Sequence, residues 1–479
     1  MMTEYLFMWG QKQSAMIAEC MLLIFSRFND ECDITDGIDD VIRVHDQGFS
    51  HIYFSTESLE TANKNAVRFL DKDKRRELFN IIQDKKSSCM HFLDELSSIN
   101  PAELSDDGIP DLVRKYQDHI IWTNKIYRSS DSISTRAIED EIKMGLRQYY
   151  TPRTLLKALS IISTPTTFDR LQKEQADWLN LLSLARQPSD DALLKHALRY
   201  PERYPNTWSY GEVFRHLRNR AIKENLTVLS ERLKSLRKFH VGVYLSQEAI
   251  FSRFADCTRL RLLGMAVQEL ALSRFELRQA WSGAELLALP FLEHLSAKVG
   301  LDVASFMAAY NFSDLTDFLV NGKRLTKWEM RDRMDCSVIH LIDGELDYIY
   351  GRKARDYFEG KCIPSKSVDS VSGLAANPGK MQGRVRIVSV ENLRQMEEDL
   401  ASFTEGDVLV TTMTSPIIIP IAVKAAAIVT NQGGICSHAA VISRELDIPC
   451  IVGTHNATQV FKDGDIVELD ADQGVVRKI

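Results

Sequence analysis

The sequence lacks most features that would assign a function at a glance. Its eight cysteines stand at 20, 32, 89, 257, 336, 362, 436 and 450 with no CxxC pair, so neither a zinc knuckle nor a thioredoxin-type site is visible. That thin, scattered usage in 479 residues fits a reducing compartment, and the expected location is the cytoplasm. No basic segment precedes the first apolar residues (MMTEYLFMWGQK), so no signal-peptide pattern is seen. The longest apolar stretch, Pro416 to Val429, is broken by Pro420 and Lys424 and falls short of the ~20 residues a membrane span needs. No HExxH or HxH spacing occurs, so no metal site is expected in this chain. No internal repeat or low-complexity segment is present. Strong charge of one sign is also missing: 59 Lys+Arg against 66 Asp+Glu gives −7, which offers no electrostatic reason to bind nucleic acid or an anionic membrane.

What is present reads as a globular chain. Hydrophobic residues make up 44% and charged residues 26%, and the length suggests roughly three domains of about 150 residues. Residues 1 to about 360 read as mainly helical. Phe69, Leu70, Leu78, Ile81, Ile82, Met90, Phe92 and Leu93 recur among Lys, Asp and Glu, and the same spacing runs over Val228–Leu236 and Leu260–Trp281. Asn100-Pro101, Asp107-Gly108, Thr164-Pro165-Thr166, Tyr200-Pro201 and Tyr204-Pro205 mark the turns.

The character changes near residue 360. EGKCIPSKSVDSVSG, Glu359 to Gly373, has linker composition. Beyond it, short β-rich runs at Gly383–Val388, Asp407–Met413, Ala426–Thr430, Ile448–Gly453, Asp465–Asp470 and Gly474–Ile479 alternate with helical candidates at Val390–Ser402, Ile419–Ala425 and Ser437–Leu446. Asp472-Gln473-Gly474 suits a hairpin turn. The expected architecture is therefore multidomain: a large, mainly α-helical region 1–360 (one or two subdomains), a flexible linker 361–372, and a compact α/β unit 373–479.

The densest chemical signal is TNQGGICSHAAVISRELDIPCIVG, Thr430 to Gly453. An apolar strand runs into Gly433-Gly434, where two glycines permit a tight turn with exposed N–H groups. A helix follows from about Ser437, with Ala439, Ile442 and Leu446 on one stripe. His438 falls in its first turn, where unsatisfied N–H donors and the positive helix end favour an anion. An imidazole there has a neutral, nucleophilic fraction near pH 7 and suits carrying a phosphoryl group on a ring nitrogen. The plainer alternative is a histidine that fills the turn. Cys436, Ser437 and His438 are sequence neighbours that point in different directions, which disfavours a hydrolytic pair. Gly373 to Lys380 has the wrong spacing for a phosphate loop, and Met381 follows where Ser or Thr belongs.

GGICSHAAVISRELDIPCIVG resembles the phosphohistidine motif of phosphoenolpyruvate-utilising enzymes, the family of phosphoenolpyruvate synthase, pyruvate phosphate dikinase and rifampin phosphotransferase. GLAANPGKMQGRVRIV, GDVLVTTMTSP, KAAAIVTNQGG and FKDGDIVELDADQGVV extend the likeness over about the last 105 residues. The resemblance implies a swivelling domain in which His438 is phosphorylated, with Thr430, Gly433, Gly434 and Ser437 shaping the phosphate pocket. Arg444 also matches the motif, either for the pocket or for a surface salt bridge. Asn431 and Ile417 stand where the family often carries acidic residues. Ser163–Leu182, His196–Glu212 and Leu325–Tyr350 resemble the family more loosely, the last as a hairpin turning on Asp343-Gly344. By that likeness residues 1–360 bind a small hydroxyl- or enol-bearing acceptor, with His196, Trp208 and Tyr210 as candidate pocket residues; packing at helix ends is the other reading of each. The family's ATP-grasp nucleotide-binding motifs are not seen here. The resemblance therefore implies a split phosphotransferase, charged by a separate ATP-grasp protein that holds ATP and Mg²⁺ and turns ATP into AMP and phosphate. A non-catalytic phosphohistidine carrier or regulatory subunit is the alternative.

Overall fold

The computed structural model describes residues 5–26, 38–46, 49–100, 103–128, 132–361, 369–388, 398–399, 401–414, 418–434 and 437–479. Helices dominate its first part, and local chemistry sets their limits. Asp71 starts the Lys72–Ser98 helix by accepting the Asp73 and Lys74 N–H groups. Leu78, Ile82, Cys89, Leu93 and Leu96 then form its buried stripe. A capping box between Asp169 and Gln172 opens the Arg170–Leu184 helix. Asn225 caps Leu226–Phe251, which turns back into the Thr258–Trp281 helix, and Arg261 and Glu248 pair across the two.

One part of the helical expectation needs correction. Residues 5–361 also contain a five-stranded antiparallel sheet, β1 (Tyr5–Lys12), β2 (Asp40–Asp46), β3 (Phe49–Ser55), β4 (Cys336–Ile342) and β5 (Glu345–Tyr350), in the order β1-β3-β2-β4-β5. It is buried on both faces. Val41, Ile52, Phe54, Ile339 and Leu341 join the large helical core, while Ile42, Val44, Tyr53 and Val338 pack toward Ala354 of the Gly351–Lys361 helix. The β4–β5 hairpin turns on Asp343 (φ 50°) and Gly344 (φ 82°), both positive as a type I′ turn requires. The expected hairpin is thus present, and it pairs with strands some 300 residues earlier in the chain.

The C-terminal part holds β6 (Ser370–Ser372), β7 (Leu374–Asn377), β8 (Lys380–Ile387), β9 (Val408–Thr411), β10 (Ala427–Thr430), β11 (Cys450–Val452), β12 (Ile466–Asp470) and β13 (Val475–Lys478). They form one eight-stranded sheet in the order β6-β13-β12-β8-β9-β10-β11-β7. Strands β8 to β11 are mutually parallel, and the others run antiparallel to their neighbours. Strands β9, β10 and β11 read as short apolar runs because both faces are covered. Leu409 and Ile428 pack with Ala439, Ala440 and Ile442 on one side, while Val408, Val410 and Val429 pack with Val467 and Leu469 on the other. Ser370–Ser372, expected within the linker, is strand, and β7 was not foreseen. Only Gly373 separates β6 from β7, which occupy opposite ends of the strand order, so one continuous segment lines both edges. Gly373 is pinned by its N–H to Gly474 O at 2.8 Å, and a Cβ there would sit 2.6 Å from Val452 O. Most of the linker (362–368) and most of the expected Val390–Ser402 helix lie outside the described residues, as does Ile417.

Among the described residues no helix is long and apolar enough to cross a membrane. None of the five described cysteines forms a disulfide.

Candidate active site at the seam of the two parts

The site begins at the carboxyl end of β10, where parallel α/β sheets place their ligands. Thr430 is fully buried. Its hydroxyl donates to Gln432 O at 2.6 Å, and Thr454 Oγ1 donates to Thr430 O at 3.0 Å, so the threonine shapes the turn. Asn431 holds the same turn by trading hydrogen bonds with Thr458, which gives the amide a structural role where the family often has an acid. Gly433 has φ +110°, and a Cβ there would meet Ser437 Cβ and Oγ at 2.8 Å. Gly434 O accepts the Ser437 N–H at 2.9 Å. Ser437 is the N-cap of the His438–Glu445 helix, its hydroxyl accepting from Ala440 N–H.

His438 is therefore the first residue of that helix. Ala439, Ala440 and Ile442 hold the helix on the sheet, while the imidazole faces the helical region. The ring is only 6% exposed. The wall that covers it comes from across the seam, where Tyr127, Arg274 and Arg278 meet Met413, Thr414, Gln432 and Gly433 around a cavity of about 50 Å³. His438 Nδ1 lies 3.1 Å from Thr414 Oγ1. When Nδ1 carries the proton and donates to that hydroxyl, Nε2 holds the lone pair.

Burial pushes the imidazole pKa down to about 3, and the charges of Arg278, Arg232 and Arg203 push the same way. The ring is then neutral throughout the physiological range. Its proton affinity is lower folded than unfolded, so it subtracts stability as pH falls below about 6.5 and does so fully only near its folded value. A ¹H–¹⁵N histidine titration should find His438 without a titration step between pH 5 and 8. A step near 6.5 in the folded chain would mean that the ring is not held as described.

Other contacts tie the two parts together. Arg444 donates to Ser160 Oγ at 2.8 Å and to Ser160 O at 3.3 Å, so the structure does not bring it into the cavity; it fastens the His438–Glu445 helix to the Pro152–Ser163 helix. Gln172 Nε2 donates to Glu445 Oε1 at 2.8 Å. Burial, then the nearby Asp169 carboxylate, lift Glu445 to about 8, and burial lifts Asp169 to about 6.

The three acceptor candidates lie elsewhere, and none lines the His438 cavity. His196 is buried, with Nε2 3.0 Å from Glu174 Oε1 and its ring against Trp178. Trp208 donates to Glu285 at 2.7 Å and borders a separate groove of about 820 Å³ that includes His45 and Trp328. Tyr210 opens the Tyr210–Lys223 helix and is half-buried. The residues that do meet His438 were missed. Thr414 falls within the quoted TTMTSP segment, but nothing there announces a bond to a residue 24 positions on. Arg274, Arg278 and Tyr127 carry no motif at all. Among the described residues no group of three or more His, Cys, Asp or Glu is placed to hold a metal ion.

Residues 403–474 match the family model of the PEP-utilising enzyme mobile domain. The likeness to phosphoenolpyruvate-utilising proteins read from the motif is thus found again in this part of the chain. A probable phosphoenolpyruvate synthase of Archaeoglobus fulgidus is 45% identical over 106 residues, 22% of this chain and 13% of that protein. Another, from Methanothermobacter thermautotrophicus, is 46% identical over 140 residues, 28% of this chain and 19% of that one. An uncharacterized phosphotransferase of Bacillus subtilis is 41% identical over 126 residues, 26% of this chain and 14% of its own. This chain spans less than a fifth of the length of these relatives.

Proposed function

We propose that this chain is a cytoplasmic phosphotransferase component of the phosphoenolpyruvate-synthase type that carries a phosphoryl group on His438. In this reading the C-terminal unit, from β6 onward, swivels on the segment between Lys361 and Ser370. A separate ATP-grasp protein, holding ATP and Mg²⁺, passes one phosphoryl group of ATP to the histidine and, with one water consumed, releases AMP and phosphate. The unit then returns to the helical region, where a small hydroxyl- or enol-bearing acceptor takes the group. The N–P bond breaks, an O–P bond forms, and the acceptor's proton ends on the released imidazole nitrogen. Thr430, Gly433, Gly434 and Ser437 hold the loop that presents the ring.

One observation carries the reading: a neutral imidazole at a helix N-terminus opens onto a cavity whose far wall belongs to the helical region. Burial of the ring at this seam agrees with a group that is exposed to one partner and covered at the next. The eight residues between Lys361 and Ser370 span roughly 15 Å as a coil and up to about 27 Å when extended, enough for such a swing.

The test mixes the chain with a candidate ATP-grasp partner and ATP labelled at the β- and γ-phosphates. We expect acid-labile, alkali-stable label approaching one group per chain. Absence of label, or acid-stable label, would rule the carrier role out. Discharge of the isolated labelled chain by a hydroxylic metabolite would separate an enzyme component from a bare carrier.

A further inference from the structure

We propose that Arg274 and Arg278 form an oxyanion site that faces His438 across the seam and grips the phosphoryl group while the ring carries it. This rests on the carrier reading above and adds a part that the histidine's own loop does not supply.

The two arginines lie four residues apart on the Thr258–Trp281 helix, so both guanidiniums leave the same face. Among the described residues lining the His438 cavity they are the only formally charged side chains, and none of those residues is a carboxylate. Arg278 also acts on the buried Glu202 carboxylate, which is not among the described residues lining the cavity. Arg274 is held in place: its Nε donates to Tyr127 OH at 3.0 Å, and its guanidinium lies 4.8 Å from the centre of that ring. Arg278 Nη2 rests 3.3 Å from Met413 Sδ, a weak acceptor that a phosphoryl oxygen outcompetes.

The opposite wall is complementary. Gly433, Ser437 and the first turn of the His438–Glu445 helix present the donor-rich end of a dipole. The cavity, at about 50 Å³, suits a small oxyanion and falls far below the size of a drug-like ligand site. Burial does most to keep a proton off the ring, and the Arg278 charge that adds to this effect also attracts a dianion. As a phosphoryl group leaves nitrogen, charge spreads over its outer oxygens, and a planar guanidinium fork meets that geometry as an ammonium does not.

Inorganic phosphate is the probe, and the full-length chain with His438→Ala is the host. That variant opens the cavity and cannot be phosphorylated on the ring. Titration calorimetry or ³¹P NMR should detect phosphate binding. Adding Arg278→Gln or Arg274→Gln should weaken it at least about tenfold, and Arg278→Lys should fall between. Unchanged affinity in both glutamine variants, or no phosphate binding to the parent, would overturn the proposal. Circular dichroism and the urea midpoint verify folding, and Arg278→Lys carries the test should Arg278→Gln fail to fold. The assay contains neither ATP nor partner. A failed labelling experiment would therefore remove the carrier role and leave the anion site standing, whereas lost binding here would do the reverse.

Discussion

His438→Ala is expected to take up no acid-labile phosphate from ATP and an ATP-grasp partner, a loss of at least about a thousandfold against the wild type. The size follows from the proposed role of the imidazole as the nucleophile that takes the phosphoryl group. Ser437 also lines the cavity, but its hydroxyl caps the helix by accepting from Ala440 N–H, and it has no adjacent base to activate it. Ser437→Ala should keep its label while costing about 1 kcal/mol of stability through the lost cap. Label that persists undiminished in His438→Ala would move the phosphoryl group to another residue. The measurement is label retained after alkali and lost after acid, with folding verified by circular dichroism.

The second large effect is on stability. Glu174 is completely buried and gathers three partners: Arg203 Nη1 at 2.9 Å, Arg220 Nη1 at 2.5 Å and His196 Nε2 at 3.0 Å. Burial raises its proton affinity, yet Arg203 and Arg220 together outweigh burial and hold the carboxyl well below the usual range. Glu174→Ala strands two guanidiniums in the interior and should cost about 3–5 kcal/mol, read as a lowered urea midpoint. Asp190→Ala, which breaks the exposed pair with Arg218, should cost less than about 1 kcal/mol. The pH sign follows from a depressed carboxyl: Glu174 stabilises fully above its unfolded value and loses that contribution as pH falls toward its folded one. Below about pH 4.5 the wild-type midpoint should therefore drop more steeply than that of Glu174→Gln. A Glu174→Ala chain within 1 kcal/mol of wild type would show that the cluster is not the support it looks to be. The cluster also bears on the site, since it holds Arg203, whose charge reaches His438.

The C-terminal part was the more legible in the sequence. Its central strands are covered on both faces, so they appear as short apolar runs closed by glycine, and the glycine turn before His438 is a local signal. The five-stranded sheet was hidden for the opposite reason. β2 places Arg43 and His45 in the interior, which spoils a clean alternation. Arg43 is tolerated there because it donates to Ala18 O and Gln13 Oε1, neither of which can be paired with it from sequence. His196 looked like a binding residue because a polar ring beside Trp and Tyr is ambiguous until its buried carboxylate partner is known. The Arg274–Arg278 pair was illegible because the Thr258–Trp281 helix carries several arginines. Only docking of the C-terminal part picks out the face that meets His438.

The chain's return through Gly373 has a further consequence. By laying β6 on one end of the sheet and β7 on the other, a single stretch of backbone forms both edge strands. Those end strands are only three and four residues long, and an edge so short offers little template for another strand to pair with.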